Sequence, residues 1–374
     1  MATILVIAVI LACIAGQVIW GSIIRSFAIF MSAVLGMLVA FNFFDPLALK
    51  LIESDFMPWR AHGIVLGLLF VLSFAVFVAV SLKLLGTEIA FSRMTDRIGG
   101  AIVGIPTGLL VSGMLVTAIS LASGSGSFPY QRFDPVRPDI ENPKGVFLNA
   151  DGFAAGLFGF ASSGSLAGDN SFALVRADFA NAAAFDRLSA EKGGSPLAGR
   201  NAIQLPVVIR LAGPEITDAD GRRLQAVPGS DLFLARVNMT RSVIGKDSPN
   251  FTLGQLRLIC KRKDDMALPG AGTGICVYPV GYLRTSTRLQ MEPLSTLVPI
   301  ATAEFEDGIK PIDVAFYIPS DLRPALVGFK RNFVTSSISL VTPEEAQASG
   351  LLPVGFERSL PAMPQPSEPQ DPNL

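Results

Sequence analysis

The chain holds one histidine, His62, among 374 residues, and that single imidazole limits the chemistry open to it. A Ser-His-Asp relay needs an imidazole beside its nucleophile, and the sequence beyond residue 122 has none. The same lack removes histidine-ligated zinc and the His-Glu-x-x-His arrangement. No Gly-x-Ser-x-Gly elbow, phosphate-binding loop or Cys-x-x-Cys pair occurs. The carboxylates Asp264, Asp265, Glu304 and Glu306 read as solvated surface charge. No catalytic residue, metal site or cofactor is therefore expected, and the chain reads as non-enzymatic. A Ser-Lys pair needs no histidine, so a membrane-tethered hydrolase stays as an alternative.

Two cysteines, Cys260 and Cys276, flank the run Lys261-Arg262-Lys263-Asp264-Asp265 and a turn-rich stretch from Pro269 to Gly274. Apolar runs lie on either side. The expectation is a β-hairpin closed by a disulfide, against two unrelated thiols. Such a bridge would stabilise by ~3 kcal/mol and would persist only in an oxidising compartment. The third cysteine, Cys13, lies in an apolar run and reads as packing.

These residues hang on a polypeptide whose first third is built for lipid. Arg25 is the first charged side chain and Asp45 the second. Four apolar stretches, Ala2–Ile24, Ser26–Phe44, Ala61–Leu82 and Ile98–Gln131, carry no Asp, Glu, Lys or Arg. A spanning helix needs roughly 20 such residues. One helix from Ala2 to Phe44 would leave Arg25 mid-membrane, so a tight hairpin near Gly21–Ser26 is expected, with Arg25 and Trp20 at the interface. The first stretch has no basic residue ahead of it and reads as a retained span, not a cleaved signal.

Basic residues in short loops favour the cytoplasm. Arg25 and the trio Lys83, Arg93 and Arg97 outnumber Lys50 and Arg60 in the intervening loop. Both termini are therefore expected outside, with the large C-terminal part. Thr95-Asp96-Arg97 leads into Gly100, Gly104 and Gly108, which recur every fourth residue and continue to Ser112. Small residues at that spacing let helices approach closely in lipid. The stripe reads as packing within the bundle, or as a homo-oligomer seam or conduit wall. Asp96 stands where it can cap the fourth helix, and Pro106 is expected to kink it.

With Arg25-Ser26-Phe27, these residues resemble the colicin V production protein family, CvpA, over about residues 1–122. The resemblance implies a four-span protein of the bacterial inner membrane with a role in toxin production or export and in envelope maintenance. It marks Arg25, Thr95, Asp96, Arg97, Gly100, Gly104 and Gly108 as positions for topology and helix packing. There are departures: Ser26 stands for the family's tip glycine, Ile29 and Phe30 for an Arg-Glu pair, and Thr107 for a basic residue.

After the membrane domain (1–122), a Ser-, Gly- and Pro-rich linker is expected over 123–150 and a mixed helical segment over 151–200, with a helix from Ala173 to Lys192. Short β-rich runs follow over 201–345: Leu205–Leu211, Leu232–Met239, Leu256–Cys260, Gly274–Val280, Pro311–Ile318 and Ala325–Phe333. They predict a mainly β, sandwich-like domain. The phrases Val314–Pro319 and Leu326–Lys330 read as neighbouring strands. The tail 346–374 is Pro- and Gln-rich and expected to be disordered.

Thirty basic residues against thirty-one acidic ones exclude a nucleic-acid footprint. The partners expected are the lipid bilayer, a second copy of the chain through the fourth helix, and an extracytoplasmic partner of the β domain. The alternative within the membrane is a channel or transporter lined by the glycines, although the span centres hold no ionisable group.

Overall fold

The computed structural model describes all residues except 21, 86–91, 165–170, 200–202, 211–215, 225–226, 241–249, 268–269, 299–308, 336–337, 351–352 and 354–374. Four long helices open the chain: α1 (Ala2–Trp20), α2 (Ile23–Glu53), α3 (Ala61–Leu84) and α4 (Arg93–Ala122). All four are long and apolar enough to cross a membrane. Serine side chains mark the starts of α2 and α4. Ser22 caps α2, its side chain accepting from the Arg25 N–H, and Ser92 caps α4 by accepting from the Thr95 N–H. Lys50, in the last turn of α2, meets the negative end of the helix dipole.

The break between α1 and α2 falls at the expected hairpin, but the two helices then diverge. α1 runs antiparallel along α4, while α2 and α3 pack on each other and on another side of α4. α4 is thus the central helix. α2 also outruns its apolar stretch, continuing through Pro46 to Glu53 and carrying Asp45 on a helix, not a loop.

Residues 123–146 do not form a free linker. Phe133 is buried in the β-domain core and Val146 packs beside α1 and α4. Next come α5 (Ala150–Ser163), the single turn α6 (Phe172–Val175) and α7 (Phe179–Glu191). α5 lies against α4, and Phe158 stacks on Phe41 of α2. The helix expected from Ala173 is broken at Asp178, whose φ of 57° is left-handed. α7 is buried on both sides. Phe179 and Ala183 join the membrane-bundle core; Ala184, Phe185 and Leu188 join the β core.

The described residues of the C-terminal part form twelve strands: β1 (Ile203–Arg210), β2 (Ser230–Thr240), β3 (Phe251–Thr252), β4 (Leu256–Arg262), β5 (Ile275–Val277), β6 (Gly281–Thr285), β7 (Arg288–Met291), β8 (Leu297–Val298), β9 (Ile309–Pro319), β10 (Leu322–Phe329), β11 (Phe333–Thr335) and β12 (Ser339–Val341). One sheet has the order β12-β1-β2-β9-β6-β7, with β12 parallel to β1; the other is β11-β10-β4-β5. β3 and β8 form a separate pair.

Alternation explains the main sheet. Phe233, Ala235, Val237 and Met239 of β2, and Ile312, Val314, Phe316 and Ile318 of β9, face Leu256, Leu258, Val327 and Phe329 of the second sheet. The two sheets thereby share one sandwich core. Val314–Pro319 and Leu326–Lys330 are consecutive but not paired: β9 belongs to the first sheet and β10 to the second. The chain crosses the sandwich at the Ser320–Asp321 turn. Past β12, α8 (Pro343–Ala348) starts with a reciprocal cap between Thr342 and Glu345, so the expected disordered tail begins with ordered residues. Residues 351–352 and 354–374 lie outside the described part.

Candidate functional site

The motif residues gather at the end of the bundle away from the β domain. Asp96 accepts a hydrogen bond from the Ile23 N–H at 3.1 Å, 73 residues away in sequence. It therefore holds the first turn of α2. The cap of α4, expected of Asp96, belongs instead to Ser92, because α4 starts one turn earlier than the apolar stretch does. Thr95 adds a hydroxyl contact of 2.7 Å to Ser92. Arg25 lies in the same turn of α2 that Asp96 anchors, and Arg97 follows on α4.

Gly100, Gly104 and Gly108 face α1. A methyl group at Gly104 would stand 2.9 Å from Cα of Ile14, and one at Gly108 2.6 Å from Cα of Ile10. Nearby, Gln17 donates to the Thr107 hydroxyl at 3.2 Å. The glycine stripe is thus filled by a helix of the same chain. A second copy or a conduit along this stripe would have to displace α1. Two close approaches escaped the four-residue pattern. Gly63 faces the backbone of Ala118 and Ala122, and Gly113 faces the Ala150 carbonyl of α5.

The expected disulfide is absent: Cys260 and Cys276 are both free thiols. The hairpin itself exists, β4 pairing antiparallel with β5. Its register puts Cys260 opposite Ile275 and Cys276 opposite Ile259. Side chains alternate along a strand, so the two sulfurs leave opposite faces of the sheet. Cys260 points into the sandwich core, and the Cys276 thiol donates to the Ala177 carbonyl at 3.0 Å. Burial pushes both thiols up to about 12. The oxidising-compartment argument falls with the bridge.

The most heavily charged buried region lies where the bundle meets the β domain. Arg176, just after α6, donates from Nε and Nη2 to one oxygen of Asp45, at 3.1 and 2.6 Å. Its Nη1 reaches the Arg331 carbonyl. His62, fully buried at the start of α3, sits with Nε2 3.6 Å from the other Asp45 oxygen and its ring edge-on to Phe44. Arg331 follows β10. Its Nη1 donates to the Leu121 carbonyl at 2.6 Å and the Trp59 carbonyl at 3.2 Å. Leu121 is in the last turn of α4, where carbonyls lack helical partners and the dipole favours a cation. A β-domain arginine thus caps a membrane helix.

Behind it, Asp186 of α7 lies 3.5 Å from Arg331 and accepts from the Gln255 amide at 3.0 Å. Arg257 donates from Nη2 to the Lys330 carbonyl. Lys330 is itself fully buried, has a left-handed φ of 51° and lies over the Phe329 ring. Burial lowers its amine to about 8, against the opposing pull of Asp186. Burial also lowers Arg331 from its ordinary value. On the other side of α7, Arg132 holds Asn181 and the Tyr130 hydroxyl, Tyr130 donates to Asp151, and Arg187 lies over the Tyr130 ring.

This layer joins the helical bundle to the β domain. Neither ring nitrogen of His62 has a hydrogen-bond partner among the described residues. Among the described residues no group of His, Cys, Asp and Glu is spaced to hold a metal ion. Asp265 pairs with Lys261 at 3.3 Å, and Glu304 and Glu306 lie outside the described residues.

Fold and junction define a multi-pass membrane protein whose mainly β region is seated on one end of its helical bundle. No family model, curated protein or solved structure matches the chain.

Proposed function

We propose that this is a non-enzymatic scaffold of the bacterial inner membrane, of the CvpA kind, serving toxin production or export and envelope maintenance. The β domain stands on the extracytoplasmic side and presents a binding surface to a partner there. The observation that carries this reading is the contact between Asp96 and Ile23. It brings the two stretches that resemble the family, Arg25-Ser26-Phe27 and Thr95-Asp96-Arg97, to one end of the bundle. The charged groups of the junction support a scaffold role, because they are spent on holding α2, α3 and α4 to the β domain. The occupied glycine stripe favours this reading over a glycine-lined pore.

The test is complementation. The full chain is expressed in a colicin V-producing bacterium that lacks its own CvpA protein. Restored toxin release, lost again in Asp96→Asn, is expected. No restoration by membrane-inserted, full-length protein would overturn the family assignment.

A further inference from the structure

The layer around α7 separates into two groups of charge. In the outer group, Arg132 and Arg187 face Asp151. Asp178 stands between the groups, within reach of both Arg132 and Arg257. In the inner group, Arg176 and Arg331 face Asp45 and Asp186, with His62 and Lys330 beside them. Across the layer, among the described residues, five arginines and Lys330 therefore meet four carboxylates. Two inner side chains also carry N–H donors with no acceptor among the described residues: Nε and Nη1 of Arg257 and Nζ of Lys330. Both side chains are more than nine-tenths buried.

Arg176, Arg257 and Arg331 converge. Together with Asp186 and Leu121 they line a cavity of about 10 Å³. That is room for one water-sized occupant. Uncompensated charge and unmet donors are costly away from water. A neutral water would meet the donors but leave the charge. A phosphate or an organic carboxylate is too large.

We propose that this cavity binds one small monovalent anion, chloride in the cell, held by Arg257 and Arg331. The anion accepts the free N–H groups of Arg257 and offsets the excess positive charge of the layer. It completes the contact between the helical bundle and the β domain, so the assembled form of the chain responds to halide.

The test uses the full chain in detergent micelles. Equilibrium dialysis with radioactive chloride is run at constant ionic strength, gluconate replacing chloride. One saturable site per chain, displaced by bromide, is expected. No saturable binding would overturn the proposal. In Arg257→Met the affinity should fall at least tenfold; undiminished binding would place the ion elsewhere and overturn the assignment. If that variant does not fold, Asp186→Asn decides. Removing a repelling carboxylate should tighten binding, whereas unchanged or weaker binding contradicts the site.

Discussion

Arg176 grips Asp45 with two donors, although 131 residues separate them in sequence. Asp45 sits one residue beyond the apolar stretch of α2, and Arg176 sits between α6 and α7. The pair marks the level at which lipid-facing helix gives way to protein-facing helix. Burying the pair carries a desolvation cost, so its two halves depend on each other.

That dependence is measurable. Asp45→Asn leaves Arg176 beside Arg331 without its carboxylate. Breaking one side of a buried pair typically costs about 3–5 kcal/mol, less here because Asp45 keeps some exposure. In a double-mutant cycle with Arg176→Met, unfolding in mixed micelles should give a coupling above about 1 kcal/mol. Additive effects would mean the two side chains do not sense each other.

The α1–α4 seam predicts a steric result. Gly104→Leu drives a side chain into the Ile14 backbone. Overpacking of this kind costs about 1–3 kcal/mol, and the loss should appear in the unfolding of the monomer itself. A variant that loses only self-association, with monomer stability intact, would show the stripe to be an intermolecular seam.

Lys330 predicts a pH effect with a definite sign. Its folded value of about 8 lies below the ordinary 10.5. Between these values the unfolded chain binds more protons, so this group makes stability rise with pH. Below about pH 8 both states are protonated and the penalty is complete. Lys330→Met should therefore raise Tm at pH 7, with the gain shrinking towards pH 10. A gain that is constant across this range would remove titration as its cause.

The thiols give a simple chemical check. Denaturing alkylation without reductant should modify both Cys260 and Cys276, while the folded chain reacts slowly at each. Protection that only a reductant relieves would restore the disulfide and contradict the register of β4 and β5.

How far the sequence could be read depends on the range of the interaction. β2 and β9 were legible as runs of strand-forming residues: every second residue from Phe233 to Met239 and from Ile312 to Ile318 enters the sandwich core, while Leu234 and Ala315 are buried on the other face. The hairpin of β6 and β7 was not, because Tyr282-Leu283-Arg284-Thr285 mixes apolar and charged residues and its partner β7 is a short edge strand. The cysteine spacing disclosed a hairpin but not its register, and one residue of register decides which face a sulfur takes. At the site, the glycine stripe was visible as periodicity. Its occupant was not, since Ile10 and Ile14 look like any other lipid-facing residues. Asp45, His62, Arg176, Asp186 and Arg331 carry no local pattern, because only the tertiary fold brings them together.

The most direct measurement is sidedness. Met94, 72% exposed at the start of α4, and Met266, 95% exposed in the β domain, stand at opposite ends of the molecule. Each is replaced by cysteine and probed in intact cells with a membrane-impermeant maleimide, against the unmodified chain. Met266→Cys should label from outside and Met94→Cys only after the membrane is opened. Labelling of both positions from the same side would contradict a helical bundle that spans the bilayer beneath its β domain.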